Sequence, residues 1–248
     1  DPNSGKPLKD ENGNVVIDPE TGKPKKDPKT QVPYTVLDDI HEIEALPEEE
    51  RAAAKTTALQ QQWKNKAVSE TYEPGSVFKV FTAAAGLEEG AATAATSFNC
   101  PGYYKVGGWT IRCHKHGGHG TLDMAGAISN SCNPYFMQLG MKMGAHVFFK
   151  YFTAFGFTEK TGIDMSGETS NAGLYHSEKT LSETAASLAT AAFGQTNKVT
   201  PIQMITGISA IANGGKLMTP YVVQQILDGD GNVVKNTEPT VRRQVVSA

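Results

Sequence analysis

Ser76 and Lys79 stand three residues apart at the start of an apolar segment, in the order Ser76-Val77-Phe78-Lys79. In a helix this spacing places the hydroxyl and the amine on one face, a single turn apart. A serine is a weak nucleophile until a base removes its proton, and burial among apolar side chains lowers the pKa of a lysine toward that of a useful base. The pair therefore predicts nucleophilic catalysis. The structural alternative is a serine that caps a helix, followed by a surface lysine.

A second polar group, Ser131-Cys132-Asn133, lies between two apolar segments, and Ser131 follows Ser76 by 55 residues. The hydroxyl of Ser131 could relay protons between Lys79 and a leaving amine, and the amide of Asn133 could hold a substrate carbonyl. The two motifs together predict an acyl-transfer site whose catalytic residues are Ser76, Lys79, Ser131 and Asn133.

Three cysteines and one histidine form a second candidate site, composed of Cys100, Cys113, His119 and Cys132. Three thiolates and one imidazole make a closed tetrahedral zinc set of the structural type. One alternative is a Cys100–Cys113 disulfide with Cys132 as a buried thiol, and another is three unlinked core cysteines. A zinc ion would tie the glycine-rich segment 98–120 to the Ser131 motif, because Cys132 lies inside that motif.

The elements that must position these residues are mostly helical. A helix start is predicted at Pro47, and further helices are predicted at 76–90, from 122 or 123 through 128, at 134–143, at 182–192 and at 200–213. Residues 221–234 predict a strand, a turn and a second strand. The aromatic residues Trp63, Tyr103, Tyr104 and Trp109 are expected in the core or in a groove wall.

Composition excludes several classes of protein. The chain has 248 residues, 20% of them charged, and a formal net charge of −3, so it carries no basic footprint for nucleic acid. It contains no apolar run near 18 residues, which excludes a membrane span within this sequence. Three cysteines do not make a disulfide scaffold. Because the chain opens with Asp1-Pro2 and shows no signal peptide, we expect it to be part of something longer.

The segment from Asn65 to Lys79, which includes Glu73-Pro74-Gly75-Ser76, resembles the monofunctional class B penicillin-binding proteins almost residue by residue. Five further segments match the family, and they extend the resemblance over roughly residues 62–235. They are His119 to Asp123, Phe155 to Phe157, Gly194-Gln195, Val199 to Pro201, and Ala212 to Lys216. Only His119 lies in the matching His-Gly segment, so it is preferred to His114 and His116 as a ligand. Some elongation-type members of the family hold zinc at similar positions.

The resemblance implies the α+β fold shared by these transpeptidases and the serine β-lactamases, an antiparallel sheet covered by helices. Residues 51–248 would form the transpeptidase domain, and residues 1–50 a surface insertion or partly mobile segment of it. Lys160-Thr161-Gly162 spells the family's third catalytic motif, but it matches a different loop of the family. We therefore expect the third motif beyond Ala248, with this chain covering mainly the helical part of the domain.

The resemblance also implies an activity, the cross-linking of peptidoglycan stem peptides that end in D-Ala-D-Ala, through an acyl-enzyme on Ser76 that β-lactams would also form. The oxyanion would be held by the backbone N–H of Ser76 and by one from the third-motif strand. The family implies an N-terminal membrane anchor outside this chain, an extracytoplasmic position and a membrane glycan polymerase as partner. The alternatives are a serine β-lactamase or β-lactam sensor, and a non-catalytic component of a cell-wall complex.

Overall fold

The computed structural model describes residue 10, residues 15–17 and residues 43–247. Two compact units divide the chain, residues 1–65 and residues 66–248. The predicted insertion at residues 1–50 lies largely outside the described residues and stays a prediction. In the first unit, helix α1 (Glu48–Trp63) begins after Pro47 with three glutamates in its first turn, where the helix dipole favours negative charge.

The second unit holds the other helices. They are α2 (Lys66–Ser69), a 3₁₀ turn at Gly75–Phe78 that leads into α3 (Lys79–Glu88), α4 (Met124–Ser129), α5 (Asn133–Ala154), α6 (Glu178–Glu183), α7 (Ala185–Ala191) and α8 (Pro201–Ala212). The last begins as predicted, because the Thr200 side chain accepts from the backbone of Gln203 and the Gln203 side chain accepts from that of Thr200. No helix of the described residues is long and apolar enough to cross a membrane.

The strands of the second unit are β1 (Phe98–Cys100), β2 (Tyr103–Val106), β3 (Trp109–Arg112), β4 (Gly120–Leu122), β5 (Lys216–Met218), β6 (Gln225–Leu227), β7 (Val233–Asn236) and β8 (Val241–Gln244). They pair antiparallel in twos: β1 with β4, β2 with β3, β5 with β8 and β6 with β7. The pair β6–β7 confirms the predicted strand, turn and strand, with both strands starting later than expected. Helices and antiparallel strands together give the expected α+β class.

Aromatic packing fixes the helix that carries the first motif. The rings of Phe78, Phe81, Phe152 and Phe157 contact one another with centroids 4.9 to 5.9 Å apart. All four side chains are buried. Each contributes about 1.5–3 kcal/mol by leaving water. The residues on either side of Ser76 and Lys79 are therefore held by the core.

Several predicted elements differ from the structure. The helix predicted at 134–143 runs to Ala154, because the chain bends at Gly144 (φ 79°, ψ 166°) and resumes as helix on the far side. The helix predicted at 182–192 is two helices, since Thr184 takes extended backbone between them. The prediction for the tryptophans was wrong: Trp63 is 72% exposed and Trp109 is 68% exposed.

Candidate active site

Lys79 is the centre of the site formed by the two motifs. Its Nζ lies 3.0 Å from Ser76 Oγ, 2.9 Å from Ser131 Oγ and 2.7 Å from Asn133 Oδ1. Ser131 Oγ also donates to Ser76 Oγ at 2.9 Å. The structure thus brings together all four residues that the sequence predicted for acyl transfer.

The two members of the first motif differ in accessibility. Ser76 is exposed in the 3₁₀ turn, whereas Lys79 is only 2% exposed at the start of α3. Burial lowers the pKa of Lys79 to about 8, against an opposing effect of the Cys113 and Cys132 thiols. A neutral amine is therefore accessible near neutral pH, next to a hydroxyl that a substrate can reach.

The turn between α4 and α5 places the second motif. Ser131 has φ 47°, an uncommon conformation for a residue with a side chain, and its N–H donates to Ile128 O. This conformation directs both its hydroxyl and its carbonyl oxygen to Lys79 Nζ, the latter at 2.7 Å. Strain of this kind costs about 1–3 kcal/mol and concentrates at functional sites. The residue types predicted a role for the Ser131 hydroxyl only, and the contact of the Ser131 carbonyl oxygen with Lys79 was not predicted.

A second segment supports the turn that precedes Ser76. Gly75 N–H donates to Gly194 O at 2.8 Å. A Cβ on Gly194, whose φ is 91°, would lie 2.0 Å from Gly75 O. Only glycine permits this approach. In the sequence Gly194 belongs to a segment that carries the family resemblance, and no local signal predicts its contact with Gly75.

Lys160-Thr161-Gly162 forms a loop and not a strand. Glu168 accepts from both the backbone N–H and the hydroxyl of Thr161, each at 2.6 Å, and from Gly162 N–H at 3.1 Å. Lys160 is exposed. These contacts give the motif a structural role and support its rejection as a catalytic triplet.

The four predicted metal ligands also converge. One ligand atom from each of Cys100, Cys113, His119 and Cys132 lies within 4.8 Å of all the others. His119 Nδ1 lies 3.6 Å from the sulfur of Cys100 and 3.6 Å from that of Cys113. A tetrahedral zinc ion with ordinary bond lengths requires about 3.5 Å between a sulfur and a nitrogen ligand. All three cysteines are free thiols, so the structure has no Cys100–Cys113 disulfide.

The loop folds back on itself to make this cluster. His119 N–H donates to Cys100 O at 3.0 Å, and Cys113 N–H donates to Gly102 O at 2.8 Å. At Gly118 a Cβ would lie 2.3 Å from Cys100 O, so a larger residue there would force the two halves of the loop apart. The close approach brings ligands from distant parts of the loop to one point.

The shifted pKa values of two ligands in this cluster have opposite effects on metal binding. Burial, with the nearby His114 and Lys115, lowers the pKa of His119, which favours the neutral imidazole that coordinates metals. Burial raises the pKa of Cys132 to about 12, so a metal would have to displace the proton of this thiol. The donor set and its spacing fit zinc.

Comparison with known proteins agrees with the fold. The model of the penicillin binding protein transpeptidase domain matches residues 14–248. Among curated proteins, the chain is 42% identical over 186 residues to the stage V sporulation protein D of Bacillus subtilis, covering 74% of this chain and 28% of that protein.

Solved structures show the same similarity. The D,D-transpeptidase domain of a peptidoglycan glycosyltransferase from Eggerthella lenta is 29% identical, with a TM-score of 0.69, covering 85% of this chain and 51% of that one. A ceftriaxone acyl-enzyme complex of penicillin-binding protein A from Mycobacterium tuberculosis is 28% identical, with a TM-score of 0.67, covering 82% and 46%. The chain spans about half or less of the length of these proteins.

The transpeptidase-domain model matches nearly all of the chain, and the relatives that the chain resembles are class B penicillin-binding proteins. The Ser76-Lys79 and Ser131-Asn133 motifs meet in the geometry that acyl transfer to a serine requires. The chain therefore belongs to the transpeptidase domain family of the class B penicillin-binding proteins.

Proposed function

We propose that this chain carries the acylating site of a peptidoglycan D,D-transpeptidase. The observation that supports this most directly is the exposed Ser76 hydroxyl, 3.0 Å from the buried amine of Lys79 and 2.9 Å from the hydroxyl of Ser131. The related chain from Eggerthella lenta is described as a D,D-transpeptidase domain. The substrate would be a stem peptide that ends in D-Ala-D-Ala.

In the acylation step, neutral Lys79 takes the proton of Ser76 as Oγ attacks the carbonyl carbon of the penultimate D-Ala. The carbonyl becomes an oxyanion, held by the backbone N–H of Ser76 and a second N–H. Ser131, hydrogen-bonded to both Ser76 and Lys79, gives its proton to the nitrogen of the terminal D-Ala and takes the proton held by Lys79. The C–N bond breaks, D-Ala leaves, and an ester joins Ser76 to the stem peptide.

In the second step, an amine of a neighbouring stem peptide attacks the ester. Its proton returns to Ser76 Oγ by the same route, and a new amide cross-links the two stems. Asn133 Oδ1 fixes Lys79 Nζ at 2.7 Å, which leaves the NH₂ of this amide to orient the substrate backbone. β-Lactams would acylate Ser76 by the same chemistry.

The test of this function is covalent labelling by benzylpenicillin, followed by intact mass. We expect one adduct on a protein that includes the third-motif strand expected beyond Ala248, and none on its Ser76→Ala variant, because the substitution removes the attacking oxygen. Lys160→Ala is the matched control and should label normally. An adduct on Ser76→Ala would contradict the assignment of Ser76 as the nucleophile. Loss of labelling in Lys160→Ala would contradict the assignment of the Lys160-Thr161-Gly162 loop as non-catalytic.

The lifetime of the adduct separates the alternatives. A transpeptidase site should keep the penicilloyl ester for many minutes, because it is not arranged to activate water against the ester. Release within seconds would favour a serine β-lactamase. Absence of labelling in a protein that includes the third-motif strand would favour a non-catalytic component of a cell-wall complex.

We also propose that Cys100, Cys113, His119 and Cys132 hold one structural zinc ion. Support comes from four donors within 4.8 Å of one another and from sulfur–nitrogen separations of 3.6 Å. A closed four-ligand set leaves no position for a reacting group, so zinc would supply cross-linking of the fold and no chemistry. Through Cys132 it would hold the turn that carries Ser131 and Asn133.

The cellular location that we propose follows from the family. The protein would act on the extracytoplasmic side of a bacterial membrane, held by an N-terminal anchor outside this sequence. A membrane glycan polymerase would supply the strands that it cross-links. Labelling of intact cells by a penicillin that does not cross membranes would test the location.

A further inference from the structure

The β2–β3 hairpin has an outer face that the site described above does not use. In its register Tyr103 lies opposite Arg112, and Lys105 lies opposite Thr110. These four side chains share one face and all are exposed. On the other face Tyr104 and Ile111 pack against the core and Val106 is buried, so the hairpin is fixed to the body of the unit.

One aromatic side chain gives the outer face flat apolar surface in water. Tyr103 is 38% exposed there, whereas Trp109, although 68% exposed, pairs with Val106 across the hairpin and therefore lies on the opposite face. Lys105 Nζ lies 5.9 Å from the centroid of the Tyr103 ring. Exposed aromatics of this kind are typical of recognition surfaces, because they offer large contact area at low entropic cost.

The charge of this region is entirely positive. Residues 97–122 include Lys105, Arg112 and Lys115 but no Asp or Glu, in a chain whose formal net charge is −3. Among the ion pairs of the described residues, none involves these three cations. The surface thus presents positive charge that nothing described in the fold neutralises.

We propose that the outer face of the β2–β3 hairpin docks a second peptidoglycan strand. Sugar rings would stack on Tyr103, and free carboxylates of the stem peptides would pair with Lys105 and Arg112. The inference rests on the proposed function, since it names a subsite for the strand that supplies the attacking amine. The surface is outside the set of Ser76, Lys79, Ser131 and Asn133.

The hairpin is well placed for this role. Cys100 precedes it and Cys113 follows it, and both sulfurs lie within 4.8 Å of that of Cys132, which separates Ser131 from Asn133. A strand of four residues spans about 13 Å. The base of the docking face therefore begins next to the site, and a bound strand would hold its stem peptides near the acyl-enzyme.

Cations would also suit an anionic lipid surface. The outer face argues against that occupant, because Tyr103, Lys105, Thr110 and Arg112 offer no aliphatic side chain to insert between acyl chains. The exposed groups instead lie along the flat side of the strands. That arrangement favours an extended polymer.

The test is co-sedimentation of the whole chain with purified peptidoglycan sacculi, after Ser76 has been blocked with benzylpenicillin. Blocking removes binding through the active site. We expect Lys105→Gln with Arg112→Gln to weaken binding at least roughly tenfold, because two charge-assisted contacts are lost. Tyr103→Ala should weaken it several-fold. Matched controls are Lys142→Gln with Lys160→Gln, and Trp109→Ala on the opposite face of the hairpin, which should bind as the unmodified chain does.

The outcomes are distinct. Unchanged binding of the outer-face variants, or an equal loss in the control variants, would overturn the proposal. So would selective loss of binding to phosphatidylglycerol vesicles with unchanged sacculus binding, which would assign the surface to lipid. Because Arg112 adjoins Cys113, thermal melting checks the fold of each variant, and Lys105→Gln alone decides if the double variant does not fold. Penicillin labelling is a separate measurement, so failure of the proposed function would be seen independently.

Discussion

At the scale of residues, the site is defined by a buried amine that has only oxygen partners. Lys79 contacts Ser76 Oγ, Ser131 Oγ, Ser131 O and Asn133 Oδ1 within 3.0 Å. Desolvation penalises its charged form, and this is the largest cause of its lowered pKa. The amine is therefore both fixed in position and able to accept a proton.

The pH dependence of acylation should report this amine. Its pKa of about 8 means that the neutral form decreases about tenfold for each pH unit below 8. We expect the rate of acylation by a fluorescent penicillin to rise through that range and to level off above about pH 8. The measurement is the rate of labelling at low reagent concentration between pH 5.5 and 9.5.

Two variants control this experiment. Lys160→Ala should keep the profile, because this lysine lies in the loop held by Glu168. Lys79→Ala should be slower by roughly 10²–10⁴-fold and lose the inflection, since it removes the proposed general base. An inflection near pH 8 that survives in Lys79→Ala would assign the titration to another group.

At the scale of elements, the position of Ser76, the proposed nucleophile, depends on contacts between segments far apart in sequence. The 3₁₀ turn bearing Ser76 is held from one side by the aromatic core at Phe78 and from the other by the Gly194 carbonyl. The hydroxyl of Thr82, one turn after Lys79, donates to Ala192 O at 2.8 Å. The helix α3 and the segment after α7 therefore form one support for the site.

Gly194→Ala tests this support. The added Cβ would meet the backbone oxygen of Gly75, and the φ of 91° is itself unfavourable for alanine. We expect a loss of at least about 2 kcal/mol in the free energy of unfolding, together with slower acylation. Denaturant unfolding and the penicillin labelling rate measure the two effects.

Gly90→Ala is the matched control, because Gly90 has φ 65° but nothing within 4 Å of an added Cβ. It should cost about 1 kcal/mol from backbone strain alone and leave the labelling rate unchanged. Equal behaviour of the two variants would show that the contact between Gly194 and Gly75 does not support the nucleophile.

At the scale of the whole molecule, the Cys and His cluster joins three stretches of the second unit. Cys100 ends β1, Cys113 and His119 belong to the loop after β3, and Cys132 precedes α5. A metal bound there would link the hairpin to the helix that begins at the second catalytic motif. Any ligand that binds only the folded state stabilises it by mass action.

Zinc should therefore raise the melting temperature. At a free zinc concentration 100 times the dissociation constant the gain is about 2.7 kcal/mol, which corresponds to roughly 5–10 °C for a chain of this size. Differential scanning fluorimetry of chelator-treated protein with added zinc measures the shift, and native mass spectrometry should show one ion per chain.

Cys100→Ser and His119→Gln are the variants that test the ligands. Each should lose most of the zinc-dependent shift, whereas His116→Gln, outside the cluster, should keep it. A shift of equal size with magnesium, or one that persists in the ligand variants, would contradict the zinc assignment. Two ligand variants are used because one of them can fail to fold.

The local chemistry of the sequence predicted several helix starts and the residues that meet in the two sites. Helix starts are set by short-range signals, so the helix starts at Pro47 and at Thr200-Pro201 were correctly located. The residue types and spacing of the two serine motifs and the Cys and His cluster predicted their convergence. Each of these predictions rested on a set of residue types that, taken together, is typical of one kind of site.

Tertiary structure alone decided the rest. The length of α5 depends on packing that lets the helix resume beyond Gly144, and no local signal encodes it. The contact of the Ser131 carbonyl with Lys79 requires a strained turn that only its surroundings can maintain. Trp109 is exposed although its cross-strand partner Val106 is buried, so the alternation of side chains along the hairpin does not by itself give this exposure. Such features arise from contacts between segments distant in sequence, which residue type and spacing do not specify.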